Sequence, residues 1–221
     1  MQKRTVIFGA YNTAAHGWTL TGWQLSDPEQ KTRYIEKTNG DGSWDWSTIM
    51  SEGIPRYQDR TLTVTLECSE GTRVERQKLI SEMVNALDGF EWQVILPDYP
   101  NHYLTGRIHV IPNYNDLAHA SVTVTGVFRP WLYKAQETIL VIDATSSVQD
   151  VIITNSGRLA MVPTITVTGS GDVRLVYGTA SIQMSDGTYE WPTLLLTPGN
   201  HPVKISGKGT VTFKYREAVL R

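Results

Sequence analysis

Apolar and polar residues alternate with a period of two along most of the first 130 positions. Seven stretches rich in Val, Ile, Thr and aromatic residues carry the pattern: RTVIFG, GWTLTGWQL, TRYIEKT, RTLTVTLEC, FEWQVIL, YLTGRIHVI and SVTVTGVF. Successive side chains of a strand point to opposite faces, so this alternation predicts strands with one buried face. We therefore expect a domain built mainly from β-strands.

One segment of this region, TRVERQKLISEMVNALDG, has the period of a helix instead. Its apolar residues fall on a single helical stripe, at Ile80, Met83, Val84 and Leu87. Thr72 and Glu75 have capping-box spacing, in which each side chain accepts the other's free backbone N–H. Gly89 is placed to end the helix. The pattern predicts one amphipathic helix in a β-rich domain.

After FRPWLYKA the helical period disappears. Short β-like segments follow, separated by Gly, Pro, Asn and Asp: TILVID, VIITN, PTITVTG, DVRLVYG, ASIQMS, TLLLTPG, PVKISG and TVTFKYRE. Many short strands with frequent turns are typical of a β-sandwich. We therefore divide the chain into an N-terminal domain, residues 1–135, and a C-terminal β-sandwich, residues 136–221.

Composition and charge limit the kinds of partner, cross-link and location that we expect for this chain. The 221 residues include 20 basic and 22 acidic side chains, for a formal charge of −2, which argues against nucleic acid as a main partner. The single cysteine, Cys68, excludes a disulfide framework, and its parity within RTLTVTLEC predicts a buried side chain. No apolar run approaches the ~20 residues of a membrane helix. The start, MQKRTVIFGAYNT, lacks the features of a secretion signal, so we expect synthesis in the cytoplasm and no membrane insertion.

The stretch LPDYPNHYLTGRIHV gathers Asp98, His102, Arg107 and His109 and could be read as an active site. Strand parity argues against this, because His102 and His109 fall on opposite faces of one strand. No nucleophile elbow, phosphate loop or paired-histidine metal motif occurs elsewhere. We expect no enzyme, no cofactor and no metal, and keep an enzyme using Asp98, His102 and His109 as an alternative.

Two groups of aromatic residues are candidates for binding. Trp44 and Trp46 lie in NGDGSWDWSTIMSEGIPRYQD, residues 39–59, a turn-rich loop long enough to suggest an interaction arm. They pack either against another subunit or back on their own domain. In the second domain, Trp191, Tyr177 and Tyr189 could form a platform that stacks a sugar, unless Trp191 packs in the sandwich core.

Four stretches together resemble the distal tail protein family of siphophages. The first is DGSWDWS, followed by PRYQDR with Arg60, and the second is the helix followed by FEWQVILPDYPNHYLTGRI. The third is an F-x-P-W segment, with Phe128, Pro130 and Trp131. The fourth is VIITNSGRLAMVPTITVTGSGDV together with the terminal TVTFKYREAVL. The resemblance covers nearly the whole chain, in order.

The resemblance implies a structural role in a virion. Members of the distal tail protein family form a homohexameric ring at the tip of a non-contractile tail. The ring lies between the tail tube protein and the tail-associated hub or lysin protein. The resemblance also implies an N-terminal belt domain, which is β-barrel or sandwich-like with one helix, and a galectin-like C-terminal sandwich that in some members meets receptor-binding proteins or host glycans.

On this basis we take Trp44, Trp46, Arg60 and Arg107 as candidate interface residues. We expect Gly106 to permit a close backbone approach and Arg107 to bridge to a partner carboxylate. The alternative is a carbohydrate-binding β-sandwich protein that acts alone in attachment to the host surface.

Overall fold

A computed structural model describes residues 4–51, 53–113, 119–169 and 171–221. Over these residues the chain is mainly β, with one α-helix in the first half and a β-sandwich in the second. The predicted fold class is confirmed. Contacts divide the chain into two compact units, the first running to Pro130 and including Leu220, the second consisting of Trp131–Val219 and Arg221.

The first unit is built on one antiparallel sheet. Its strands are β1 (Ile7–Phe8), β2 (Tyr11–Asn12), β3 (Thr19–Leu25), β6 (Arg60–Cys68), β7 (Glu91–Ile95), β8 (His102–Asn113) and β9 (Ala120–Phe128), and a separate two-stranded ribbon contains β4 (Tyr34–Glu36) and β5 (Ser43–Asp45). The sheet order is β2-β1-β7-β8-β9-β6-β3. A short 3-10 helix, Ile49–Ser51, follows the ribbon.

Burial along β8 follows the predicted alternation. Leu104, Ile108 and Val110 are buried, whereas Arg107 and His109 on the other parity are exposed. The same alternation in β6 buries Cys68, as predicted. The parity of the apolar residues therefore correctly predicts which face of the sheet packs against the core.

The helix α1 spans Arg73–Leu87 and has the predicted ends. The Thr72 hydroxyl accepts the Glu75 N–H at 3.3 Å, and the Glu75 carboxylate accepts the Thr72 N–H at 2.7 Å. Gly89, just beyond the end of the helix, has φ 80°, a conformation that side chains with a Cβ rarely adopt. The helix buries Ile80, Met83 and Leu87, and it packs on β8 and β9.

Gly106 lies at a close approach of β8 and β9. A Cβ at this position would be 2.3 Å from the Val127 carbonyl oxygen and 2.6 Å from the Phe128 ring. Glycine is therefore required for packing within one chain.

The second unit is a sandwich of two four-stranded antiparallel sheets. Its eight strands are β11 (Thr138–Ala144), β12 (Gln149–Asn155), β13 (Thr164–Thr168), β14 (Val173–Tyr177), β15 (Ala180–Met184), β16 (Gly187–Glu190), β17 (Gly199–Gly207) and β18 (Gly209–Tyr215). Two short strands outside these sheets, β10 (Leu132–Lys134) and β19 (Ala218–Val219), pair with each other. One sheet has the order β11-β18-β13-β16 and the other β12-β17-β14-β15. Between them lies a core that includes Ile153, Val167, Leu175 and Phe213.

One predicted strand of this unit is wrong. TLLLTPG forms turns and a single bridge, between Leu196 and Met161, rather than a ladder. Leu194 and Leu196 are nevertheless fully buried. This segment fills the core with side chains without entering a sheet, and the strand at this point of the chain is the preceding β16 instead.

A buried carboxylate ties the C-terminal segment to the start of the second unit. Glu217 accepts hydrogen bonds from Lys134 Nζ at 2.7 Å, from the Ser156 N–H at 2.7 Å and from the Thr138 hydroxyl at 3.2 Å. Burial raises the pKa of the Glu217 carboxyl, but the bonds from Lys134 and Ser156 outweigh it, so the pKa lies below its usual value.

The adjoining N-x-G turn meets the same segment. Asn155 is buried, donates to the Leu159 and Leu196 carbonyls, and accepts the Gly157 N–H at 2.9 Å. A Cβ on Gly157 would lie 2.6 Å from the Ala218 carbonyl oxygen. The two motifs that end the family resemblance are therefore neighbours in space, and their residues are explained by packing.

Candidate interaction surface

The loop that carries the two candidate tryptophans folds into a ribbon, here called the aromatic arm (residues 33–47). Within it Ile35 lies opposite Trp44 in the register of β4 and β5. At its base the chain closes through a bridge between Gln30 and Tyr57. The first part of this turn-rich region therefore forms a hairpin rather than an irregular loop.

Local hydrogen bonds hold the arm in shape. The Trp46 N–H donates to the Arg33 carbonyl at 2.8 Å, and the Arg33 N–H donates to the Ser47 hydroxyl at 2.9 Å. Asp45 accepts the Ser47 N–H at 2.8 Å, and its hydrogen bonds with Ser47 hold the pKa of the Asp45 carboxyl below its usual value. The arm is therefore ordered by its own backbone and short polar side chains.

One face of the arm is apolar and basic. The register of β4 and β5 places Ile35 and Trp44 on the same face, and Trp46 follows directly after β5. Trp44 is 59% exposed and Trp46 44% exposed. The Lys37 ammonium lies 5.0 Å from the centre of the Trp44 ring, within the range of a cation–π contact.

This exposure decides between the two expectations for the loop. The alternative in which both indoles are buried against their own domain is wrong, because each keeps a large part of its surface in solvent. Two neighbouring exposed indoles are unusual for a chain that stays alone in solution. Burial against another molecule remains the prediction for Trp44 and Trp46.

Arg60 does not belong to this surface, which corrects its place among the candidate interface residues. Its side chain is only 2% exposed and lies on the buried parity of β6. It donates to the carbonyl oxygens of Ser26 at 3.0 Å, Pro130 at 3.2 Å and Leu220 at 2.9 Å. Arg60 stabilises the first unit from within, because a guanidinium can satisfy several buried carbonyls at once.

Arg107 remains accessible. It is exposed and donates to the Gly89 carbonyl just after the helix. This bond orients the guanidinium on the sheet surface, and a bridge to a partner carboxylate stays a prediction.

The residues that suggested an active site do not converge. His109 Nδ1 lies 2.6 Å from Asp88 Oδ1, and the same oxygen accepts the Val110 N–H at 2.8 Å. His102 occupies the opposite parity of β8, and Asp98 lies 4.0 Å from Arg4. Asp88 was not a candidate from the sequence, because it lies 21 residues from His109 and no motif links the two. This pair fixes the end of the helix to β8.

The aromatic residues of the sandwich form no exposed platform, which corrects the glycan-contact hypothesis. Trp191 is 8% exposed and belongs to the core, as the alternative interpretation had it. Tyr177 and Tyr189 are half-buried and pack against the same core. The Tyr177 hydroxyl is hydrogen-bonded to Nδ1 of the buried His201 at 2.8 Å. A buried indole cannot stack on a sugar from solution.

Two negative findings concern the described residues only. No group of three or more His, Cys, Asp or Glu side chains among them has the arrangement of a metal site. Nor does any described helix have the length and apolarity to cross a bilayer.

Comparisons with known proteins bear on the whole chain. No family model and no curated protein sequence matches it. Among solved structures it is similar to SPP1 Dit (gp 19.1), a hub adsorption apparatus protein of phages that infect Gram-positive bacteria. The match has a TM-score of 0.67 at 14% identity and covers 96% of this chain and 98% of that one. The chain therefore has the fold of SPP1 Dit from end to end.

Proposed function

We propose that this protein is a structural component of a phage or prophage tail tip, part of the hub that carries the adsorption apparatus. The observation that carries the proposal is the end-to-end likeness to SPP1 Dit, which spans both units and leaves almost none of either chain unmatched. A fold shared over one unit alone would say little about role, since common folds host many functions.

In this proposal six copies form a closed ring that joins the tail tube to the tail-associated hub protein. Identical head-to-tail contacts close into a ring when the rotation between neighbours fits. Such a contact needs apolar anchors that are exposed in the free chain. Trp44 and Trp46 meet this requirement, and Arg33 and Lys37 beside them favour an acidic rim on the neighbouring surface.

The proposed place of the protein is the virion, at the tip of the tail. The first unit acts as the belt of the ring, and the second acts as a galectin-like peripheral domain for receptor-binding proteins or host glycans. This role requires no catalysis and no cofactor. A carbohydrate-binding protein acting alone is the second candidate, and the burial of Trp191 removes the aromatic platform on which it rested.

The test is the molar mass of the full chain in solution, by size-exclusion chromatography with multi-angle light scattering, together with negative-stain images. We expect six times the chain mass of 24.8 kDa and rings with an open centre. The double variant Trp44→Ser/Trp46→Ser should shift the equilibrium to monomer with an unchanged circular dichroism spectrum.

Phe90→Ser provides a matched control. Phe90 is 59% exposed, the same fraction as Trp44, but it lies outside the arm. If Phe90→Ser dissociates the ring as completely as the double variant, the arm has no special role. A wild-type chain that stays monomeric up to about 1 mM, where contacts of only ~4 kcal/mol would already be half-formed, contradicts self-assembly into a ring.

A further inference from the structure

The second unit contains an open cleft of about 550 Å³ at one end of the sheet β12-β17-β14-β15. Its lining includes Ser146, Asp172, Arg174, Gln183, Ser206 and Lys208. The volume lies within the ~300–1,000 Å³ typical of small-molecule sites and is far larger than one inorganic anion needs.

The floor of the cleft is tightly built backbone. A Cβ on Gly207 would lie 2.2 Å from the Asp172 carbonyl oxygen, and one on Gly171 would lie 2.7 Å from the Lys208 Cβ. The Lys208 N–H donates to the Asp172 carbonyl at 3.1 Å. These two glycines let the two loops touch, so the side chains of Asp172 and Lys208 start from a fixed base.

Asp172 is held in one orientation. It accepts hydrogen bonds from the Ser185 hydroxyl at 2.8 Å on one oxygen and from the Gln183 amide at 2.7 Å on the other. These two bonds hold the pKa of the Asp172 carboxyl below its usual value. An oriented carboxylate with spare lone pairs is a good acceptor for the hydroxyl groups of a ligand.

Two cations of the cleft carry charge that the rest of the structure does not neutralise. Among the described residues, no acidic group lies within 4.0 Å of Arg174 or Lys208, and Arg174 contacts only the neutral Ser181 hydroxyl at 3.3 Å. By contrast, Lys204 on the same sheet lies 4.0 Å from Asp150. Arg174 and Lys208 are thus placed to meet a negative group from outside the chain.

We propose that this cleft binds a saccharide with a negatively charged substituent, a carboxylate or a phosphate. Sugar hydroxyls both donate and accept, and the lining supplies acceptors from Asp172 and donors from Gln183 and the serines. Arg174 and Lys208 bind the charged substituent. Recognition rests on hydrogen bonds and charge, since no aromatic side chain among the described residues lines the cleft. This inference rests on the proposed contact of the second unit with host glycans, but the site functions in a single copy, so it can fail or succeed independently of ring formation.

The local charge argues against nucleic acid as the ligand. Two cations and one carboxylate leave a single net positive charge in the cleft, on a chain with a net charge of −2. A phosphate backbone requires a basic surface that extends along several phosphates.

The experiment is a titration of the full chain followed by the backbone amide resonances. The probes are glucuronate, glucose 6-phosphate, neutral glucose and inorganic phosphate. We expect saturable shifts of the Gly171, Arg174, Gly207 and Lys208 amides with at least one charged sugar, at a Kd of about 1 mM or tighter. The charged sugar should bind more tightly than glucose or inorganic phosphate, and the better of the two charged sugars identifies the substituent.

Variants separate this site from general attraction of anions. Arg174→Gln and Lys208→Gln should each weaken binding about fivefold, the upper end for exposed charge pairs. Lys214→Gln is the matched control, since Lys214 is exposed on the other sheet. The proposal is overturned if neither charged sugar binds saturably, if inorganic phosphate binds as tightly as the sugars, or if Lys214→Gln weakens binding as much as Lys208→Gln.

Discussion

Glu217 offers a sharp test of how the second unit is held together. The substitution Glu217→Gln keeps the shape of the side chain but removes the charge that Lys134 meets at 2.7 Å. The amide oxygen can still accept the Ser156 N–H, so the backbone contact of the N-x-G turn is retained. The variant therefore loses the ionic interaction with Lys134.

The magnitude follows from the burial of the two partners. Breaking a fully buried ion pair costs ~3–5 kcal/mol, whereas an exposed pair contributes ~0–1 kcal/mol. The Glu217 side chain is 9% exposed and that of Lys134 is 45% exposed, which places this pair between the two limits. We expect Glu217→Gln to lower the free energy of unfolding of the second unit by about 2 kcal/mol at pH 7.

The effect also has a direction in pH. Because the folded-state pKa of Glu217 is depressed, its charge stabilises the fold above the unfolded pKa of about 4.3, and this contribution is lost as pH falls through the folded value. The difference between wild type and Glu217→Gln should therefore shrink from about 2 kcal/mol at pH 7 as the pH falls below about 4.3.

Hydrogen exchange of the β12 and β18 amides measures this in the right unit. A loss of about 2 kcal/mol corresponds to roughly 30-fold faster exchange of the most protected amides at pH 7, and urea unfolding at pH 7 and pH 3 gives the pH dependence. The control is Asp150→Asn, which removes an exposed pair at 4.0 Å and should cost less than about 0.5 kcal/mol. Equal costs for the two variants, or a cost for Glu217→Gln that does not change with pH, would refute the reasoning.

Two further predictions concern the first unit. Gly106→Ala places a methyl group 2.3 Å from the Val127 carbonyl oxygen and should destabilise the fold by about 3 kcal/mol or more in thermal unfolding. The control is Gly22→Ala, which has nothing within 4 Å of the added Cβ and should cost less than about 1 kcal/mol. Similar costs for the two variants would contradict the packing argument. Thr72→Ala removes the capping hydroxyl of α1 and should lower the free energy of unfolding by about 1 kcal/mol in urea. Ser81→Ala inside the same helix should be neutral or slightly stabilising. The opposite ranking would show that the cap does not stabilise the helix.

The elements that could be predicted from the sequence are those specified by neighbouring residues. The helix was predictable because its stripe and both its ends lie within 18 consecutive positions, and the cap is a contact between Thr72 and Glu75. Strand alternation was equally local. The strand prediction for TLLLTPG was wrong because a strand forms only beside a partner strand, which the segment itself does not specify. A run of three leucines is apolar whether it lies in a strand or, as Leu194 and Leu196 do, enters the core from an irregular segment.

Candidate sites were harder to predict, because residue type suggested a role that burial then decided. Arg60 was a candidate interface residue because it lies in PRYQDR, one of the stretches that resemble the family, although arginine is rarely buried. Its parity with Leu62, Val64 and Leu66 was the signal for a buried position, and the structure follows that parity. Trp191 had two interpretations in the sequence, since aromatic residues suit both sugar platforms and cores, and the structure places it in the core. The charged cleft had no signal, because Asp172, Arg174 and Lys208 meet only through the sandwich.

The same distinction explains how a fold can be shared end to end at 14% identity. Alternation and total core volume specify a sheet, and many side chains satisfy both. Close approaches and buried polar contacts allow fewer choices: Gly106 against Val127, Gly157 against Ala218, and Glu217 between Lys134 and Ser156. The residues at these positions are explained by contacts within one chain. The exposed indoles of the arm have no such reason, because Trp44 and Trp46 expose apolar surface that the isolated chain gains nothing by exposing. We propose that a contact outside the chain explains them. The arm is therefore where the proposed ring should be tested first, rather than the motif residues whose identity follows from packing.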